Sequence, residues 1–296
     1  MQDERLRALR ERIENALDHY LPSPSLQPER LHQAMRYSTL EAGKRVRPLL
    51  TYLTGQCFGV ALTDLDGAAC AVELIHSYSL IHDDLPAMDD DDLRRGKPTN
   101  HKAFDEATAI LAGDALHTLA FEVLINHPAP SLPASARLSM LNVLAAASGS
   151  LGMGGGQAID IEATGEPTLP LSELIHMHQM KTGRLICCSI RLGALMASNA
   201  SQSELTKLEQ FGEALGLAFQ IRDDILDIES DSKTLGKPQG SDLDLGKVTF
   251  PALVGMDKAK AMADEYTQKG LKALNSIDRD TTDLEAFARY LLVRSH

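Results

Sequence analysis

Two aspartate-rich segments, each inside an otherwise apolar stretch, constrain the fold of this chain more than any other feature. Their carboxylates belong to Asp83, Asp84 and Asp89 in the first segment and to Asp223, Asp224 and Asp227 in the second. Carboxylates on apolar helices repel one another and lose hydration unless they hold hard divalent cations through oxygen ligands. The pattern therefore predicts two facing helices that share metal ions, and a magnesium-bound substrate that carries phosphate.

The spacing within each segment fits metal ligation from a helix. Asp223 and Asp227 are four residues apart and share one helix face. In the first segment, Pro86 should distort the helix so that Asp89 returns toward Asp83. A solvated acidic face would explain one such segment, but two copies favour metal binding.

The composition favours a helical fold. Hydrophobic residues make up 44% of the chain and aromatic residues only 4%, without any Trp, which favours helices packed on helices over sheets. Apolar residues recur at helical spacing from about residue 3 to 20 and from Asp64 to Asp84. Pro48 suits the first turn of a further helix. The predicted fold class is all-α.

The charge distribution points to a small anionic ligand. The formal net charge of −12 argues against nucleic acid as a partner, because nucleic-acid binding needs a basic surface. The positive charge is instead clustered at residues 43–47 and 94–97. Local cationic clusters in an acidic protein are typical of binding to a compact anion, so we expect a phosphate ester rather than a polymer.

A histidine is placed to line the same cavity as the first acidic segment. His76 precedes Asp83 by seven residues, which is two helical turns or about 10 Å along the axis. We interpret it as a phosphate contact rather than a metal ligand. The alternative is a core histidine with satisfied hydrogen bonds.

The polar run from Ser230 to Gly246 is unusually long for a loop and is followed by Lys247. Because it follows the second acidic segment and carries lysines, it is a candidate lid over a phosphate site. A plain mobile connector is the alternative.

The cysteines, the N-terminal sequence and the length of the apolar runs predict a cytoplasmic protein that is not stably inserted in a membrane. The four cysteines have no metal or disulfide spacing and are expected to be reduced core residues. The N-terminus lacks a basic-then-apolar signal sequence, and no apolar run reaches the roughly 18 residues of a membrane span.

Taken together, the motifs resemble those of the trans-prenyltransferase (polyprenyl synthase) family over nearly the whole chain. They occur in the family's order: Gly43-Lys44-Arg45-Val46-Arg47-Pro48, the D-D-x4-D motif at Asp83, Arg94-Arg95-Gly96, Gly156-Gln157-x-x-Asp160, Lys181-Thr182-Gly183 and Phe219-Gln220-x-x-Asp223-Asp224-x-x-Asp227. The resemblance implies a single domain over residues 1–296, built as an isoprenoid-synthase helical bundle around a deep central cavity. It also implies a homodimer and three Mg²⁺ ions per site, with Mn²⁺ as a substitute.

The resemblance further implies a role for each motif. The implied metal ligands are Asp83, Asp84, Asp89, Asp223 and Asp227. The implied contacts of the allylic diphosphate are Arg94, Lys181, Thr182, Gln220 and Lys237. Isopentenyl diphosphate would be bound without metal by Gly43, Lys44, Arg47, His76 and Arg95. The implied catalytic set is Asp83, Asp84, Asp89, Lys181, Thr182, Gln220 and Asp223, with Lys247 as a lid residue and Asp224 in a supporting position.

The implied reaction is the addition of isopentenyl diphosphate to dimethylallyl diphosphate and then to geranyl diphosphate, which gives farnesyl diphosphate. Tyr78 and Ser79 lie five and four residues before Asp83, and an aromatic residue at this depth in the family ends the chain at fifteen carbons. Four alternatives remain. They are a longer product such as geranylgeranyl diphosphate, a terpene cyclase, a non-catalytic subunit of a heteromeric synthase, and an acidic metal-buffering protein.

Overall fold

The computed structural model describes residues 2–40, 43–127, 129, 132–164, 169–197, 199–229 and 248–293. The chain divides into two compact units, one of Met1–Leu141 with Leu192–Ser198 and one of Asn142–Arg191 with Asn199–His296. Within the described ranges, strands are limited to one pair of two residues each. The prediction of an all-α fold is therefore confirmed.

The first unit is organised around one buried helix. Its elements are α1 (Gln2–Tyr20), α2 (Glu29–Thr39), α3 (Val46–Cys57), α4 (Leu62–Asp83), β1 (Leu93–Arg94), β2 (Lys97–Pro98), α5 (Asn100–Ala103) and α6 (Glu106–Asn126). Helix α4 packs against α3 and α6 and is buried on all sides from Gly67 to Ile75. A helix that is buried on all sides belongs in a core, so the first acidic segment at its end is held by a rigid element.

Three sequence predictions of helix position hold in this unit. The predicted helix at residues 3–20 spans Gln2–Tyr20, and the one at 64–84 spans Leu62–Asp83. Pro48 lies in the first turn of α3, where its missing N–H is tolerated.

Helix α6 corrects the expectation that no segment is long and apolar enough to cross a membrane. By length and composition alone, Glu106–Asn126 could do so. In this fold, the face that includes Ala109, Ala112 and Gly113 is buried, and α6 packs on α4. One such helix is weak evidence of a membrane span, because core helices have the same composition.

The second unit contains the other acidic segment. Its elements are α8 (Met153–Ala163), α9 (Leu171–His178), a π-helix (Gln179–Gly183), α11 (Gln202–Glu229), α12 (Phe250–Val254), α13 (Met256–Leu274) and α14 (Thr282–Val293). Two further helices, α7 (Ala134–Ser148) and α10 (Arg184–Leu195), each contain a boundary between the units. Ile221 and Ile225 of α11 are buried in a core with Phe250 and fix the orientation of the segment between them.

The four cysteines are free, but the expectation that they are core residues holds only for Cys70 and Cys188, because Cys57 and Cys187 are partly exposed. The candidate lid at 230–246, together with Lys237 and Lys247, lies outside the described residues.

Candidate active site

The first acidic segment is a tight turn at the end of α4. The helix ends at Asp83. Two residues later lies Leu85, which Pro86 disfavours from helical geometry because it directly precedes the proline. The backbone N–H of Asp89 then donates to the carbonyl of Asp83 at 2.9 Å. The backbone at Asp89 therefore returns to Asp83, as the position of Pro86 predicted.

Asp84 is placed differently from its neighbours. Its side chain is buried and accepts hydrogen bonds from Nε of Arg94 at 2.8 and 2.9 Å. Burial raises the pKa of Asp84, although Arg94 opposes the shift. Asp84, which was predicted to bind metal, is thus paired with Arg94, which was predicted to bind substrate. Asp84 orients Arg94 beside the acidic turn.

The predicted isopentenyl diphosphate residues form a basic cluster around His76. Burial lowers the pKa of His76 well below its usual value, and the positive charges of Arg47 and Arg95 lower it further. Gly43 borders the same cluster, because a Cβ there would lie 2.8 Å from Nη1 of Arg95. Lys44, the next residue along the chain after Gly43, is exposed. A neutral imidazole among guanidinium groups is suited to binding an anion without metal.

Arg95 reaches this cluster from a strained hairpin. Strands β1 and β2 pair antiparallel around Arg95 and Gly96, whose φ values are 52° and 79°. Positive φ at both central residues is typical of a type I′ turn, which usually carries Asn-Gly or Asp-Gly. An arginine in this conformation indicates that the side chain is needed there.

The hairpin is fixed at its base by two buried residues that the sequence reasoning missed. The hydroxyl of Thr99 donates to the carbonyl of Asp91 at 2.7 Å. The amide of Asn100 donates to the carbonyl of Ala34 at 2.9 Å and to the hydroxyl of Ser38 at 2.8 Å. These bonds attach the arginine hairpin to α2, and no periodicity or spacing in the sequence signals them.

The second acidic segment has carboxylates at different depths. Asp223 is exposed, whereas Asp224 and Asp227 are buried. Asp224 accepts the side-chain amide of Gln220 and the backbone N–H of Phe250, each at 3.0 Å. Protein groups therefore occupy both oxygens of Asp224, while Asp223 is exposed to solvent.

Thr182 and Gln220, both predicted to line the reacting centre, contact each other in the structure. The hydroxyl of Thr182 donates to Oε1 of Gln220 at 3.2 Å, so that Thr182, Gln220 and Asp224 form one chain of hydrogen bonds.

Lys181 lies in the π-helix, a feature often found at functional sites. Its Nζ donates to Asp160 at 2.6 Å, and both side chains are largely buried. Gly156 permits the approach of α8, because a Cβ there would lie 2.2 Å from the backbone nitrogen of Lys181. The sequence marked Gly156 and Asp160 only as members of a motif. That both residues support Lys181 becomes clear only from the fold.

Tyr78 belongs to a group of rings between α4 and α6. It meets the ring of His117 edge-on at a centroid distance of 5.0 Å, and His117 contacts Phe121 at 5.4 Å. Burial raises the pKa of Tyr78, and Asp83 adds to the shift. The hydroxyl of Ser79 donates to the carbonyl of His76, within its own helix. Tyr78 is half-buried, and it is the bulky side chain five residues before Asp83 on α4.

The carboxylates are suited to a hard cation that takes its remaining ligands from the substrate. No group of three or more metal-binding side chains comes together within the residues described. Mg²⁺, however, is usually held by one or two carboxylates together with waters and substrate phosphates. In the first unit, the adjacent and half-buried Asp83 and Asp89 have the right chemistry for this mode, and in the second unit the exposed Asp223 has it too.

Comparisons with known proteins identify the family of this chain. A model of the polyprenyl synthetase family matches residues 28–288, and the chain belongs to this family. The chain is 48% identical over 295 residues to a farnesyl diphosphate synthase of Escherichia coli (strain K12), with 99% of this chain and 98% of that protein covered.

Two solved structures show the same fold. A geranylgeranyl pyrophosphate synthetase of Pyrococcus horikoshii Ot3 is 31% identical with a TM-score of 0.89, and 99% of each chain is covered. A geranyltransferase of Helicobacter pylori, complexed with magnesium and isoprenyl diphosphate, is 34% identical with a TM-score of 0.84, and 98% of this chain and 95% of that chain are covered. The family inferred from the sequence motifs is therefore confirmed.

Proposed function

We propose that this enzyme condenses isopentenyl diphosphate with dimethylallyl diphosphate and then with geranyl diphosphate to give farnesyl diphosphate. One arrangement carries the proposal. Helix α4 ends in the acidic turn of Asp83 and Asp89, and two turns earlier it carries His76 with its cluster of arginines. One rigid helix thus presents a carboxylate site and a metal-free cationic site, as a reaction between two diphosphates requires.

The chain's own residues would bind and orient the two substrates. Arg94 and Lys181 would hold the allylic diphosphate, together with Lys237, and the basic cluster would hold isopentenyl diphosphate. The carboxylates of the two acidic segments would hold magnesium, which would supply stabilisation of the negative charge that develops on the leaving diphosphate.

The allylic C–O bond breaks because the resulting cation is resonance-stabilised. The double bond of isopentenyl diphosphate then forms the new C–C bond, and loss of one proton to the released diphosphate leaves a longer allylic diphosphate. Thr182 and Gln220 would line the reacting centre, where water must be excluded because it would convert the cation to an alcohol.

The fifteen-carbon product is supported by the relative from Escherichia coli and by the half-buried Tyr78. A longer product, such as geranylgeranyl diphosphate, is the second candidate, because a structural relative carries that activity in its name. The basic cluster favours either over a terpene cyclase, which needs no second diphosphate. Intact acidic segments argue against a non-catalytic subunit and a metal-buffering protein.

We further propose that residues 1–296 form a single domain around a deep central cavity and that the protein is a homodimer. Each site would bind three Mg²⁺ ions, and the protein would be cytoplasmic.

Labelled isopentenyl diphosphate, incubated with each allylic primer in Mg²⁺, tests the function directly. We expect products of ten and then fifteen carbons from dimethylallyl diphosphate, and none in excess chelator. Mn²⁺ added to the chelated enzyme should restore them. Turnover in chelator would refute metal assistance, and products of twenty carbons would favour the second candidate.

A further inference from the structure

Arg45 lies in the middle of the basic motif but is not exposed to a ligand. Its residue is only 3% exposed, and its guanidinium donates four hydrogen bonds. Two go to Glu14 of α1, at 2.6 and 3.0 Å, and one goes to Glu73 of α4 at 2.7 Å. The fourth goes to the carbonyl of Thr39 at 2.8 Å.

The charge of Arg45 is neutralised within the protein. Burial opposes its positive charge, but Glu73 and Glu14 outweigh this and raise its pKa. Glu14 and Glu73 bind its guanidinium directly, so that the group is enclosed in the protein and does not face an incoming diphosphate. Arg45, which lies within the cationic cluster of residues 43–47, is thus an internal support.

The backbone of Arg45 is also unusual. It adopts φ 50° and ψ 37°, the left-handed conformation, at the residue that precedes α3. Non-glycine residues remain in this region only where their surroundings fix them, and here four hydrogen bonds do so. The bend directs Gly43 and Lys44 out of the helix and leaves Arg47 in its first turn.

We propose that Arg45 is a positioning residue for isopentenyl diphosphate, which ties the turn of Gly43, Lys44 and Arg47 to α1 and α4. The inference rests on the proposed function of that turn. Glu73 is three residues before His76, so both lie on neighbouring positions of one helix face. The Arg45–Glu73 bond therefore sets the turn against the same helix that carries His76.

The test is to remove the support without leaving a buried charge. Replacing a buried ion pair by apolar residues of similar volume usually preserves folding, whereas removing one partner does not. The double variant Arg45→Met/Glu73→Leu does this, and Glu14, which is partly exposed, remains hydrated. Arg45→Lys is a milder variant, because one ammonium group cannot reach all three partners.

Arg12 offers a matched control. It also ties α1 to α4, through two bonds to Asp66 at 2.7 and 2.6 Å, but it does not contact the turn of residues 43–47. Steady-state KM for isopentenyl diphosphate, KM for geranyl diphosphate, kcat and Tm are measured for all variants and for Arg47→Ala.

We expect KM for isopentenyl diphosphate to rise about tenfold in the double variant and about threefold in Arg45→Lys, with KM for geranyl diphosphate within about twofold of the parent. Arg12→Lys should lower Tm and leave both KM values within about twofold.

Each other outcome is decisive. Parental KM values in both Arg45 variants, with a raised value in Arg47→Ala, would reduce Arg45 to a stabilising role and overturn the inference. An equal rise in Arg12→Lys would do the same. An unchanged KM in Arg47→Ala would instead refute the proposed pocket itself. If the double variant does not fold, Arg45→Lys alone decides.

Discussion

We predict that His178 makes the stability of this protein dependent on pH. Its side chain is 8% exposed and stacks on Phe250 at a centroid distance of 5.4 Å. Neither ring nitrogen has a hydrogen-bond partner among the described residues. Burial lowers the pKa of His178 to about 4, so the folded protein holds the imidazole neutral at pH 7.

The direction of this pH dependence follows from proton binding. A folded-state pKa below the unfolded value means that the unfolded chain takes up the proton first, so stability falls as pH drops below about 6.5. With pKa values of about 6.5 unfolded and about 4 folded, the contribution of His178 to the free energy of unfolding falls by about 2 kcal/mol between pH 7 and pH 5.

The substitution His178→Phe keeps the ring and removes the titration. We expect the free energy of unfolding at pH 7 to be equal or higher, because two unpaired buried nitrogens are removed. The difference between variant and parent should grow by about 2 kcal/mol between pH 7 and pH 5, since other histidines affect both proteins alike.

Urea unfolding at several pH values measures this difference. His176→Asn is the control, because it removes an exposed histidine from the same helix and should leave the difference constant. A constant difference between parent and His178→Phe over this range would show that the buried histidine does not titrate as argued.

Three further predictions concern the active site. Tyr78→Ala should release products of twenty or more carbons, and an active variant that still gives only the fifteen-carbon product on chromatography would place the floor of the cavity elsewhere. Gly156→Ala should raise KM for the allylic substrate and lower the free energy of unfolding by about 2 kcal/mol or more, because the new methyl group would meet the Lys181 backbone at 2.2 Å. Asp223→Ala should lower kcat by about a thousandfold, which corresponds to about 4 kcal/mol, and near-parental kcat would return this segment to a solvated acidic face.

Much of the fold and of the site chemistry is encoded locally. The extent of α1 and α4 follows from apolar periodicity, which is a property of neighbouring residues. The return of Asp89 to Asp83 follows from Pro86, whose ring forbids continuation of the helix. The family follows from the order of short motifs along the chain.

Only the tertiary structure decided which members of a motif face a ligand and which support it. Arg45 and Arg47 have the same chemistry in the sequence, yet Arg45 is buried and bound by Glu14 and Glu73, which are distant along the chain, whereas Arg47 is half-buried in the first turn of α3. In the same way, Phe250 occupies an oxygen of Asp224, whereas Asp223 remains exposed. A side chain's partners depend on which distant residues the fold brings within hydrogen-bond range, and local spacing carries no information about them. The sequence therefore determined the helices and the chemical class of the site, and the packing of the helices decided the role of each residue.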